Sequence, residues 1–239
     1  MPSWSVHIRL GKLCGISNDL MRRICEFIDQ LNNPEFHDAN RVIIDGHWKK
    51  EALLPLIIVT YENFGGVGIK ALLHHHLLDY AATLAISGKY GYMLRIGRTF
   101  GYAENAIKQF LMKVLEGIEN DFSPWRRLND FELAETLIQT DWRAWAPSED
   151  YVEAISFYLD IAKAIKQGYP INPQLKQRLD KAKEIFEERI NTLRNAINEL
   201  CNAVTDLKQC IPQILRQLLI ECVTKKLKHH HQFGLSKRS

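Results

Sequence analysis

Between Pro173 and Pro212 the apolar residues recur with a helical period that few folds can accommodate. They fall at Leu175, Leu179, Ala182, Phe186, Ile190, Leu193, Ile197, Leu200, Val204, Leu207 and Ile211. The steps alternate between three and four, with one irregularity, which is the seam of a heptad-type helix. Asn172 stands where an N-cap belongs, and Pro173 suits the first helical position, where no N–H is needed. Residues 173–211 then predict a rod of about 58 Å at 1.5 Å per residue. Pro212 is expected to kink or end it before a last helix near 213–228. Such a seam must be covered, either by the chain's own body or by a second copy, and the spacing leaves both open.

The rest of the chain also reads as helical. Ser3 can cap a first helix that runs to Cys14 and is stopped by Gly15. Ser17 can cap a second, with Leu20, Ile24, Phe27, Ile28 and Leu31 on one face, up to Asn32-Asn33-Pro34. Residues 48–64 and 67–86 read as helices around a Gly65-Gly66 break, and Gly88 with Gly91 reads as a turn. Further helices are expected over 103–119, over 130–140 behind an Asn129/Glu132 capping box, and over 149–167. Two β-branched runs, 41–45 and 56–60, are the only strand candidates, and helix is preferred for the second. With 46% hydrophobic and 25% charged residues, the chain can bury a substantial core. The expected fold is all-α: a multi-helix orthogonal bundle with a long C-terminal helical arm. Residues 1–120 form one helical unit, and residues 121–239 form an extension ending in a basic tail.

Charge and cysteine usage narrow the setting. Basic residues number 31 and acidic residues 28, and the excess sits in the tail at Lys225, Lys226, Lys228, Lys237 and Arg238. Such a tail can touch phosphates, although a short basic run is more simply a solvated terminus. Five cysteines with no CxxC pair argue against a zinc finger. They suggest buried free thiols in a reducing compartment. With no leader-like start and no clean run of about 20 apolar residues, the expectation is a cytoplasmic protein with no membrane partner. The aromatic residues from Phe122 to Tyr158 read as helix–helix packing. Gly65-Gly66-Val67-Gly68-Ile69-Lys70 lacks the spacing of a phosphate-binding loop.

Chemistry concentrates in the first third. Six of nine histidines lie there: His7, His37, His47, His74, His75 and His76. Imidazole is the commonest metal ligand near neutral pH, and carboxylates join it at divalent ions. On a helix His75 and Asp79 are four apart and His76 and Asp79 three apart, so either pair can share a face. Three consecutive histidines cannot all point one way, because each step turns about 100°. At most two of them belong with Asp79.

The order His7, His37-Asp38, Asp79 resembles the H…HD…D pattern of HD-domain metal-dependent phosphohydrolases, an all-helical family, over about residues 1–120. The segment His37-Asp38-Ala39-Asn40-Arg41 is similar to that family's HD-hydrophobic-Gly-Lys/Arg run, with Asn40 in the usual glycine position. The resemblance implies that His7, His37, Asp38 and Asp79 hold a divalent ion (Mn, Zn, Ni, Fe or Mg). Asp38 would bridge to a second ion completed by His75 or His76. It also implies hydrolysis of a nucleotide or other small phosphoester. There the ion activates water and neutralises phosphoryl charge, while Asp38 and Arg41 serve the reacting centre. Arg41, Lys89, Arg95 and Arg98 are candidate contacts for phosphate oxygens. The alternative expectation is a non-catalytic helical assembly protein that forms a homo-oligomer through residues 173–228, contacts nucleic acid with its tail, and holds at most a structural metal.

Overall fold

The computed structural model describes residues 2–30, 43–44, 47–96 and 100–235. Eight α-helices lie among them: α1 (Trp4–Gly11), α2 (Asn18–Gln30), α3 (Lys50–Ile86), α4 (Gly88–Ile96), α5 (Phe100–Phe122), α6 (Asp130–Ile138), α7 (Glu149–Lys166) and α8 (Pro173–Leu235). The only sheet among the described residues is a two-residue antiparallel pair, β1 (Ile43–Ile44) with β2 (His47–Trp48). The all-α expectation therefore holds. The 41–45 run supplies β1, and the 56–60 run lies inside α3.

Several helix starts follow the local chemistry read from sequence. The Ser17 hydroxyl accepts from the Leu20 amide at 3.2 Å, and the Asn172 side chain accepts from the Leu175 amide at 2.7 Å. Asn129 and Glu132 form the reciprocal capping box, each side chain accepting from the other's backbone N–H. Ser3 stands at the N-cap of α1, but its hydroxyl meets Ser5 rather than a backbone amide.

The core of the fold is α3 against α8, with α5 and α7 also packed on α8 and with α1 and α2 packed on each other and on α3. Gly65 adopts φ 66°, a left-handed conformation that L side chains rarely take, and it breaks α3 into two segments. Beyond the break, residues 71–82 are buried without exception. This is why α3 is apolar all round rather than amphipathic. By length and composition Ala52–Ile86 could cross a membrane, an 18-residue window within it reaching mean hydropathy 1.4, which corrects the expectation that no stretch qualifies. In this fold, however, the segment is the central helix that the others cover.

Three other expectations are revised. Helix α8 is not ended by Pro212 but runs on as one 63-residue helix, with no separate helix at 213–228. A proline inside a helix forfeits one hydrogen bond and crowds the preceding turn, at a cost of about 3 kcal/mol. The seam stays buried on both sides of it, from Ala182 to Ile211 and on through Ile214, Leu215, Leu218 and Leu219. That packing holds the helix together. The same burial means this part of the seam is covered by the chain's own helices. Gly88, at φ 50°, makes the expected turn, but Gly91 lies within α4. Finally, the five thiols are not all free. Cys14, at the end of a 3₁₀ turn after α1, is disulfide-bonded to Cys210 on α8, with the two Cα atoms 5.5 Å apart. Cys25, Cys201 and Cys222 form no disulfide. The reading of a reducing compartment took all five cysteines as thiols, whereas Cys14 and Cys210 are bonded.

Candidate metal centre

Two helices build the cluster. His7 sits in the middle of α1, on the face that also buries Val6 and Leu10. His74, His75, His76 and Asp79 lie in the fully buried stretch of α3. His7 Nε2 is 3.1 Å from Asp79 Oδ1, and His75 Nε2 is 3.2 Å from Asp79 Oδ2. The two imidazoles stack with centroids 4.3 Å apart. One carboxylate thus faces two ring nitrogens. All three side chains are buried, with residue exposures of 1%, 4% and 1% for His7, His75 and Asp79.

Three of these side chains could hold a metal ion. His7, His75 and Asp79 each offer one ligand atom, and these lie within 4.8 Å of one another. Donors bound about 2.0–2.1 Å from a tetrahedral ion stand about 3.3 Å apart, and each imidazole nitrogen lies near that distance from a different oxygen of Asp79. Two histidines and one carboxylate suit Zn or a first-row transition metal better than Ca or Mg, which prefer all-oxygen sets.

The electrostatics reinforce the pairing. Burial alone would raise the Asp79 carboxyl, but the His7 and His75 N–H groups outweigh it and hold the group well below the usual carboxylate range. Burial pushes His7 below the ordinary imidazole value, against the pull of Asp79. Burial likewise lowers His74, wholly enclosed, to about 3. Neither ring nitrogen of His74 makes a well-formed hydrogen bond, the backbone of His7 being the polar group beside it. His76 packs edge-to-face on Trp48, with centroids 5.7 Å apart. Cys25 on α2 reaches the far side of the His75 ring, its Sγ 3.5 Å from Nδ1. Burial, and then the charge of Asp29, pushes the Cys25 thiol up to about 12, so it stays protonated.

A pH dependence follows. Burial holds His74 neutral in the fold and lowers His7, whereas the unfolded chain takes up protons on both below about pH 6.5. Their contribution is therefore fully present above that value and is lost as pH falls. The loss is at most about 1.4 kcal/mol per histidine per pH unit. Chelator-treated protein is expected to lose about 2 kcal/mol of unfolding free energy between pH 7 and pH 5.5 in urea titrations. An unchanged midpoint would mean that these rings are hydrated rather than buried. The depressed Asp79 acts in the same direction but only at far lower pH.

Of the ligands expected from sequence, the structure brings together His7, His75 and Asp79. His76 is buried beside them but is not part of the cluster. His37, Asp38 and Arg41 lie outside the described residues, as does Arg98. Arg95 donates to the Gly91 carbonyl of its own helix. Sequence reading missed Cys25, which carries no motif. Its only signal was its place on the apolar face of α2. The cluster does not line the groove formed by Gly15, Ile16, Gly66, Lys70 and Asp206. No protein-family model matches this chain, and no curated protein or solved structure does either.

Proposed function

We propose that this chain is a divalent-metal protein whose ion is held by His7, His75 and Asp79, and that it acts as an HD-type phosphohydrolase on a small phosphoester. One observation carries the reading. His7 and Asp79 are the first and last members of the H…HD…D order, and they meet at 3.1 Å although 72 positions separate them. Helical spacing explains the His75–Asp79 pair by itself, but nothing local brings residue 7 to residue 79. The ion would supply Lewis acidity and an activated water. His7 and His75 would contribute neutral nitrogen donors, and Asp79 the anionic oxygen. His37 and Asp38 would complete the set.

A second reading is favoured by the burial. Structural metal sites are closed, whereas catalytic ones keep an open position, and the three side chains are at most 4% exposed. In that reading the ion ties α1 to α3 and performs no chemistry.

One experiment separates them. Metal content is measured on untagged protein and on the His37→Ala/Asp38→Ala variant, and both are assayed with Mn²⁺ on p-nitrophenyl phosphate and bis-p-nitrophenyl phosphate. The hydrolase reading expects bound metal, turnover, and loss of turnover in the variant. Bound metal with no turnover, unchanged in the variant, selects the structural ion. No metal in wild type defeats both.

A further inference from the structure

A contact without an assigned role lies behind His75. We propose that Cys25 is the positioning residue of the metal centre, its sulfur holding the ring orientation of His75 through Nδ1 in either tautomer. The inference rests on the metal reading above and adds a residue that neither the H…HD…D order nor helical spacing contains.

The argument is one of hydrogen-bond inventory. A histidine that ligates through Nε2 must carry its proton on Nδ1, and that N–H needs an acceptor, usually a carboxylate, a carbonyl or water. Here the partner of Nδ1 is the Cys25 sulfur, at 3.5 Å, within the reach of a sulfur hydrogen bond. A protonated thiol has one property that the usual acceptors lack: it can donate as well as accept. Without an ion, Cys25 S–H donates to Nδ1, Nε2 carries the ring proton, and that N–H faces Asp79 Oδ2 at 3.2 Å. With an ion, the ring proton resides on Nδ1 and points at sulfur, the S–H turns aside, and the Nε2 lone pair is available. Cys25 is itself free and fully enclosed, which keeps water from competing for Nδ1.

The test uses full-length protein and zinc affinity measured by competition with a chromogenic chelator, alongside the thermal midpoint of the metal-free form. Cys25→Ala removes the contact, Cys25→Val removes it while refilling the space, and Cys25→Ser keeps a group that donates and accepts. The expected result is affinity about tenfold weaker in both Cys25→Ala and Cys25→Val, with Cys25→Ser within about threefold of wild type. A packing role predicts a different order, with Cys25→Val close to wild type and a lowered thermal midpoint in Cys25→Ala. Wild-type affinity in Cys25→Val, or a loss in Cys25→Ser equal to that in Cys25→Ala, overturns the proposal while leaving the metal site intact. A wild-type chain that binds no zinc overturns the metal reading and this proposal with it.

Discussion

Asp79→Asn protein is expected to bind zinc at least about a hundredfold more weakly than wild type while keeping its helical fold. Partners outside the ligand set already cost 10–100-fold when they are removed, and Asp79 is the only anionic member of the buried cluster. Asparagine matches it in shape but offers one neutral oxygen and an NH₂ group that cannot ligate. The fold survives because both polar ends of the amide still face imidazoles, His7 on one side and His75 on the other. Each ring can choose the tautomer that complements the amide. Asp79→Ala tests the opposite case. It leaves two stacked imidazoles around a void, and it should lower stability by about 1–3 kcal/mol through their unsatisfied nitrogens. Chelator competition and circular dichroism read the two properties separately. Wild-type zinc affinity in Asp79→Asn would remove Asp79 from the site.

Opening the Cys14–Cys210 bond is expected to lower unfolding free energy by about 5 kcal/mol. In the chain-entropy model the constraint grows with the logarithm of the closed loop, and here the paired residues are 196 positions apart. Whole domains are stable by only about 5–15 kcal/mol, so the loss is a large share. Guanidinium titration of the Cys14→Ser/Cys210→Ser variant against the oxidised wild type measures it. Thiol titration checks the premise. Native protein should show the three free thiols of Cys25, Cys201 and Cys222 after denaturation without reductant. Five thiols and no stability difference would show that the bond does not form.

The contrast between what sequence revealed and what it concealed follows the range of each interaction. The seam of α8 is legible because its period repeats over many turns. The capping box at Asn129 is legible because both partners lie within four residues. The His75–Asp79 pair also follows from a single helical turn. Pro212 misled because the rule against helix-interior proline is local, whereas the burial of Ile211, Ile214 and Leu215 around it is not. Gly88 and Gly91 look alike in sequence, yet only the first has the positive φ that makes a turn. The Cys14–Cys210 and Cys25–His75 contacts join separate helices, and nothing in the spacing of their residues encodes the pairing. The approach of His7 to Asp79 is of the same long-range kind. It was anticipated only through the resemblance to an ordered motif.

The separation of Cys14 from its partner also sets an order of events during synthesis. His7, His75 and Asp79 have all been made by residue 79, whereas Cys210 follows 131 residues later. At about 5–20 residues per second, roughly 7–26 s separate the synthesis of Asp79 from that of Cys210, before the covalent tether of α1 can form. In that interval its polar anchors are the Trp4 indole N–H, which donates to Asp29 at 2.9 Å, and His7 against Asp79. Arg9 finds Glu221 only later still, once the end of α8 has been made. The partner of His7 is thus synthesised well before the partner of Cys14.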